Sequence, residues 1–278
     1  MDLAIALLFG LCVGSFLNVC IARIPSDISV VSPRSRCPKC KTLIAGYDNV
    51  PLLSYVILGG RCRNCRTSIS LRYPAVEGLT AIISVLLANQ YSLSVSWAVY
   101  LVFSSSMIVL VLIDLDRRIL PDVITLNGIW IGILISLYLA SPSPFAATLY
   151  AFAGIGVSNP YVLALTASLA GAGFGGGLLW FVRGAFFKVR GIEGMGLGDV
   201  RMMAMVGAFL GLPLTLLTIL LGSILGSIIG LAVILVFRKG RYYELPFGTF
   251  LGGGAIVAVL YGNDLIRLYL ENFSPPAS

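Results

Sequence analysis

Long apolar segments recur along this 278-residue chain and restrict its fold more than any other feature. Hydrophobic residues make up 58% of the sequence, charged residues 11%, and the mean hydropathy is +0.96. About 20 apolar residues in a helix cross the hydrocarbon core of a bilayer, where every backbone polar group must find its partner within the protein. The sequence therefore predicts an all-α, polytopic helical membrane protein.

About eight segments are apolar enough to be transmembrane helices. They are predicted near residues 3–22, 75–93, 94–113, 121–140, 161–182, 200–212, 214–237 and 246–263. Gly211, Leu212 and Pro213 are expected to form a turn between two of these helices. Residues 141–160 are interrupted by prolines and glycines, so an external loop or a short interfacial helix is expected there and the exact helix count stays open. The first segment has no basic residue before it and is expected to be a retained helix rather than a cleaved signal peptide.

The basic residues predict the orientation of these helices. With eight spans, all Lys and Arg residues except Arg267 fall on one side of the membrane. The positive-inside rule then places residues 23–74 in the cytoplasm and both termini on the periplasmic or external side. The predicted parts are a first transmembrane helix (1–22), a cytoplasmic four-cysteine module (23–74), a transmembrane core (75–270) and a tail (271–278). Because the basic residues are spread over short loops of one face, a nucleic-acid partner is not expected.

Two CxxC motifs lie in the polar segment 23–74. They supply Cys37, Cys40, Cys62 and Cys65, with 21 residues between the pairs. Two such motifs can surround one tetrahedral ion with four thiolates, and a module of this size has too little apolar material to build a core of its own. We expect a structural zinc site. Disulfides are the competing interpretation, disfavoured on the reducing side of the membrane, and redox-active or metal-free thiols remain open.

The chain contains no histidine, which excludes every catalytic site that depends on imidazole. Its lysines are all expected in loops, where a lysine is unsuited to act as a base. Carboxylates remain as the groups able to perform acid–base chemistry. A carboxylate near hydrocarbon costs roughly 2.5–3.5 kcal/mol, so such a group tends to face the helix bundle and to have a function.

Four aspartates lie at the cytoplasmic ends of predicted helices. Asp114, Asp116 and Asp122 belong to the stretch "LIDLDRRILPD", and Asp199 follows "GMGLG". The predicted topology places Asp114 and Asp199 at the same depth, and two facing carboxylates that share one proton can activate a water and protonate a leaving amine. This chemistry is that of an aspartic protease. Asp116 is the reserve candidate within its cluster, and a flexible turn with Asp199 as a helix N-cap is the structural alternative.

Glycines precede Asp199 at positions 194, 196 and 198. We expect them to let an extended backbone approach the aspartates closely and to permit backbone torsions closed to other residues.

Several stretches in combination resemble the bacterial type IV prepilin peptidases. They are "GSFLNVCIARIP" (14–25), the two CxxC motifs, "YDNVPLLSY" (47–55), "LRYPAVEGLTA" (71–81), "IDLDRRILPD" (113–122) and "GMGLGDVRMMAMVGAFLG" (194–211). The GxGD element alone would indicate only the wider class of intramembrane aspartyl proteases that includes presenilin. The resemblance extends over most of residues 10–255.

The resemblance implies an enzyme of the bacterial inner membrane that cleaves the basic leader of prepilins and pseudopilins at the cytoplasmic face. It also implies methylation of the new N-terminus with S-adenosylmethionine. By position, the family's catalytic aspartates fall on Asp114 and Asp199, its zinc ligands on the four cysteines, and a position near the methyl-transfer region on Glu77. For Glu77, a charge favoured by the N-terminal end of a helix is the alternative.

Substrate binding is expected at the acidic cytoplasmic edge and at the glycines beside Asp199. A basic leader would meet Asp116, Asp122 and Glu193, while Gly196 and Gly198 would let the substrate backbone approach. The apolar helix of the prepilin would enter laterally from the lipid. Asp122 follows Pro121, so a role as a helix cap competes with this interpretation.

Two other functions are consistent with parts of the sequence. A metal or proton transporter would use embedded carboxylates, but transporters place such groups near the bilayer midplane. The other is a protease of the presenilin class without methyl transfer. Residues 10–81 argue against it, because they resemble the family that both cleaves and methylates.

Overall fold

Helices account for all regular elements among the described residues, as the composition predicts. The computed structural model describes residues 1–139, 159–191, 194–237 and 246–273. The predicted loop at 141–160 therefore lies almost wholly outside the described residues. The helices are α1 (Asp2–Arg23), α2 (Leu53–Ile57), α3 (Arg72–Tyr91), α4 (Val95–Arg117), α5 (Asp122–Leu139), α6 (Pro160–Arg190), α7 (Leu197–Phe237) and α8 (Phe247–Phe273).

Six of these helices are long and apolar enough to cross a membrane, namely α1, α4, α5, α6, α7 and α8. The 20-residue helix α3 lies outside this set but has the length of a span. Helix α7 is two helices separated at Gly211, which has φ 70° and ψ 177°. With α3 and with α7 counted as α7a (197–210) and α7b (212–237), the described residues contain eight long helical segments, as predicted.

The chain reverses direction at Gly211. A Cβ atom built at Gly175 of α6 would lie 2.4 Å from the carbonyl oxygen of Met203 and 2.9 Å from Cγ2 of Thr215. An unbroken helix would hold Met203 and Thr215 about 18 Å apart. Both segments therefore pack against the same part of α6, and the predicted turn between two helices is confirmed.

The chain forms two compact units, Met1–Ile113 and Asp114–Ser278. In the first unit α1 packs along α3 through glycines spaced by four residues. A Cβ at Gly10 would lie 2.7 Å from the Cα of Ala81, and a Cβ at Gly14 would lie 2.7 Å from the Cα of Glu77. Small residues at this spacing allow membrane helices to approach until their backbones touch.

In the second unit, α6 and α7a also pack closely through glycines. A Cβ at Gly171 would lie 2.3 Å from the carbonyl oxygen of Gly207, and a Cβ at Gly207 would lie 2.0 Å from the carbonyl oxygen of Gly171. Met202, Met203 and Val206 fill the adjacent core and are fully buried. This tight packing fixes the position of the N-terminal end of α7, where Asp199 lies.

Candidate functional site

Asp114 lies in the last turn of α4, where its carboxylate is held by the start of α8. Its side chain is buried, with 5% exposure. The backbone N–H of Thr249 donates to Oδ2 of Asp114 at 2.7 Å, and the Thr249 hydroxyl donates to the same oxygen at 3.0 Å. Thr249 could not be predicted from the sequence, because "FGTF" carries no charge or motif that would indicate a site.

Asp199 is the third residue of α7 and is buried, with 8% exposure. Its carboxylate forms a hydrogen bond with the backbone of Gly196, the residue before the helix. A side chain at the third position that reaches back to the preceding N–H is half of a capping box. Asp199 thus stabilises the start of its own helix, in line with part of the structural alternative, while its carboxylate also faces Asp114.

The two carboxylates converge on Gly248. A Cβ atom built there would lie 2.8 Å from Oδ1 of Asp199 and 3.0 Å from Oδ2 of Asp114. The two carboxylate oxygens are therefore no farther apart than the sum of these distances, although 85 positions separate the residues in the sequence. The structure brings together the two aspartates that the predicted topology places at one depth, and their catalytic role stays a prediction.

The glycines before Asp199 provide space rather than unusual torsions. Among the described glycines, positive φ occurs at Gly59, Gly60, Gly191 and Gly211, so the expectation of such torsions at 194, 196 and 198 is wrong. A Cβ at Gly194 would lie 2.5 Å from the ring of Phe186, and a Cβ at Gly198 would lie 2.9 Å from Cβ of Leu120. Close packing of the loop explains these glycines, and at Gly196 the nearest atom to a built Cβ is Oδ2 of Asp199, at 3.8 Å.

The other predicted acidic residues lie outside this pair. Asp116 is exposed. Asp122 begins α5, and both of its carboxylate oxygens accept hydrogen bonds from Nη1 of Arg201, with about half of the Asp122 side chain exposed. Glu193 lies outside the described residues. The partner of Asp122 could not be inferred from the sequence, because Arg201 is 79 positions away.

A cavity of about 310 Å³ opens beside the start of α8. It is lined by Ser223, Gly226, Ser227, Phe247 and Phe250. Phe247 and Phe250 flank the Gly248–Thr249 pair in the sequence, while Ser223, Gly226 and Ser227 belong to the second half of α7.

The four predicted cysteines come together in the first unit. The sulfur atoms of Cys37, Cys40, Cys62 and Cys65 all lie within 4.8 Å of one another, and the Sγ atoms of Cys37 and Cys65 are 3.7 Å apart. All six cysteines of the chain are described, and none forms a disulfide. A tetrahedral zinc ion with Zn–S bonds of about 2.3 Å holds its sulfurs about 3.8 Å apart, so the four thiols fit this ion.

The two CxxC motifs are copies of one local fold. The segments "RCPKCKTLI" (36–44) and "RCRNCRTSI" (61–69) each form a hairpin in which the first cysteine N–H bonds to the threonine carbonyl oxygen, at 3.0 Å and 2.8 Å. Asn64 joins the copies by donating to the hydroxyl of Thr42 at 2.8 Å. Hydrogen bonds from Thr42 lower the pKa of Cys40 to about 6, which favours the thiolate form that a metal requires. At Cys65 the Thr67 backbone lowers the pKa, but burial and hydrogen bonds with the other three cysteines outweigh it and raise the pKa to about 11. This repeat is visible in the sequence, but it is not among the features predicted above.

Glu77 lies where three stretches of the first unit meet. Its Oε2 atom accepts a 2.8 Å hydrogen bond from the N–H of Leu52, and the Ser15 side chain also bonds to the carboxylate. Nearby, the side-chain amide of Asn18 donates to the carbonyl oxygen of Tyr73 at 3.1 Å. The stretches 14–25, 47–55 and 71–81 are therefore packed together around one buried carboxylate, which has 8% exposure.

The fold and these sites define a class, a helical membrane protein with a buried pair of aspartates and a cluster of four cysteines. Comparison with known proteins identifies the family. Residues 8–91 match the bacterial peptidase A24 N-terminal domain, and residues 101–231 match the type IV leader peptidase family. The chain belongs to the bacterial type IV leader peptidase family, which confirms the resemblance seen in the sequence.

Several relatives align along nearly the whole chain. The prepilin leader peptidase/N-methyltransferase of Aeromonas hydrophila is 34% identical and covers 97% of this chain and 94% of its own length. The protein of the same name from Pseudomonas aeruginosa is 33% identical, covering 95% of this chain and 92% of its own length. A third, from Myxococcus xanthus, is 39% identical over 72% of this chain and 54% of its own length. No solved structure matches the chain.

Proposed function

We propose that this protein is a membrane aspartyl endopeptidase that cleaves the basic leader from type IV prepilins and pseudopilins and then methylates the new N-terminus. The observation that carries the proposal is the convergence of Asp114 and Asp199 on Gly248. Family membership and the names of the relatives give the substrate class and the second activity.

In this proposal the two aspartates share one proton. The ionised carboxylate takes a proton from a water molecule, and the water oxygen attacks the carbonyl carbon of the scissile peptide bond. The protonated carboxyl donates its proton to the leaving nitrogen as the carbon–nitrogen bond breaks. We assign the cavity at Phe247 and Phe250 to an apolar side chain of the substrate.

The proposed location of this chemistry is the cytoplasmic edge of the bacterial inner membrane, within the core formed by residues 75–270. Asp114 lies at the C-terminal end of α4, while Asp199 and Gly248 lie at the N-terminal ends of α7 and α8. These three ends therefore share one face. The distribution of Lys and Arg assigns this face to the cytoplasm and both termini to the opposite side.

Leader recognition is proposed at Asp122, Glu193, Gly196 and Gly198. The ion pair with Arg201 already compensates the charge of Asp122. A basic leader must therefore compete with Arg201 for this carboxylate. The contact can add only about 0.2–1 kcal/mol to the binding free energy of the leader, as a surface ion pair does. The apolar part of the prepilin enters from the lipid.

Two groups complete the proposal. Zinc, held by Cys37, Cys40, Cys62 and Cys65, would fix the two hairpins of the cytoplasmic module and take no part in cleavage. S-adenosylmethionine would supply the methyl group. Its cationic centre suits a buried carboxylate, and Glu77 is the residue we assign to it.

Mass spectrometry of a synthetic prepilin incubated with the detergent-purified protein and S-adenosylmethionine tests the proposal. We expect loss of the leader and a gain of one methylene mass on the mature chain. Loss of the leader alone would identify a protease without methyl transfer, and an unchanged prepilin would contradict the proposal and favour a transporter.

A further inference from the structure

The start of α8 lies directly against the aspartate pair. Thr249 is the third residue of this helix, so its backbone N–H is one of those that a helix leaves without an intrahelical partner. Here that N–H donates to Oδ2 of Asp114 at 2.7 Å. The hydroxyl of the same residue donates to the same oxygen at 3.0 Å, so one residue holds one carboxylate oxygen with two donors.

Gly248 lies against both aspartates. A Cβ atom at this position would come within 3.0 Å of Asp199 Oδ1, Asp114 Oδ2 and Cδ1 of Leu120. Real Cβ atoms are not found that close to carboxylate oxygens, so any side chain at position 248 would push the aspartates away from the backbone. By contrast, a Cβ at Gly253 on the same helix has no atom within 4 Å.

We infer that Gly248 and Thr249 are positioning residues for the aspartate pair: Gly248 sets the separation of the two carboxylates, and Thr249 fixes the orientation of Asp114. This inference rests on the proposed protease function. Two hydrogen bonds donated to Oδ2 favour the form of Asp114 in which this oxygen carries no proton, and so favour proton exchange through the other three carboxylate oxygens. The orientation of Asp114 determines which of these oxygens face the substrate.

Replacing Thr249 by Val tests the role of the hydroxyl, because Val has the same shape and keeps the backbone N–H. Loss of a hydrogen bond to a charged group should lower kcat for leader cleavage about tenfold to a hundredfold, with KM unchanged. Thr249→Ser restores a hydroxyl and should recover most of the lost activity. Gly248→Ala should lose cleavage, while the control Gly253→Ala should cleave like wild type.

Thermal unfolding in detergent, measured for each variant, separates loss of positioning from loss of folding. Full activity of Thr249→Val, or equal loss in Thr249→Val and Thr249→Ser at wild-type stability, would overturn the role of Thr249. Full activity of Gly248→Ala would overturn the role of Gly248. These results leave cleavage by the wild-type protein intact, whereas a wild-type protein that does not cleave prepilin would overturn the proposed function and this inference together.

Discussion

Glu77 offers a test that separates methyl transfer from structure, because its carboxylate does two things. It accepts the 2.8 Å hydrogen bond from the N–H of Leu52, and it places a negative charge in a buried position. Glu77→Gln keeps an acceptor for Leu52 and removes the charge. Glu77→Ala removes both and leaves the half-buried N–H of Leu52 without this acceptor.

The two variants should differ in stability and agree in methylation. An unsatisfied buried N–H costs about 1–3 kcal/mol, and the N–H of Leu52 is half-buried, so Glu77→Ala should lower the free energy of unfolding by about 1 kcal/mol, while Glu77→Gln should stay close to wild type. A charge-assisted contact with a cationic methyl donor contributes about 1.5–3 kcal/mol, and 1.4 kcal/mol corresponds to a factor of ten. Methyl transfer by Glu77→Gln should therefore fall about tenfold or more.

The assay is mass spectrometry of the processed pilin, in which leader loss and methylation are measured in one sample. Cleavage should continue in both variants. Glu271→Gln is the matched control, since Glu271 is exposed and pairs only locally with Arg267, and it should leave both activities unchanged. Methylation by Glu77→Gln at the wild-type rate would refute the assignment of Glu77 to S-adenosylmethionine and leave it a purely structural role.

Three further perturbations follow from the packing and the charges. Cys62→Ser should remove about one zinc per chain, measured by metal analysis, and lower the unfolding temperature. Replacing the exposed Cys12 by Ser should change neither quantity. Stoichiometric disulfides without metal would contradict the zinc site. Gly207→Ala should lower the free energy of unfolding by about 3 kcal/mol or more, because its Cβ would meet the Gly171 backbone on α6. The control Gly173→Ala, on α6 with open space around it, should be neutral or slightly stabilising in thermal unfolding. Equal effects of the two changes would refute the packing. Asp122→Asn should raise KM a few-fold, more for a leader with four lysines than for one with a single lysine; a loss independent of leader charge would make Asp122 structural.

Much of the fold and the aspartate pair could be predicted because strong physical terms determine them. Burial of apolar segments in lipid fixes the helices, and the charge rule places Asp114 and Asp199 at one face. Gly211, Leu212 and Pro213 predicted the turn in α7, and the structure has it at Gly211. These features depend on local composition, which the sequence displays directly.

Other features of the site depend on tertiary contacts that no local sequence pattern predicts. Thr249 contacts Asp114 across 135 positions, and its neighbours carry no charge. The role of Gly194 and Gly198 depends on the side chains of Phe186 and Leu120, which fill the space that the glycines leave. The repeat that contains Cys37 and Cys62 is different, since both copies can be read in the sequence once they are aligned.

The most direct test of the central claim is leader cleavage by Asp114→Asn and Asp199→Asn, measured by mass spectrometry on protein shown to insert in the membrane. Asn keeps the shape of Asp but cannot exchange a proton, so both variants should release no leader above the background of a sample without enzyme. Asp116→Asn, which alters an exposed carboxylate of the same helix, should still cleave. Substantial cleavage by Asp114→Asn together with loss in Asp116→Asn would contradict the assignment of the pair.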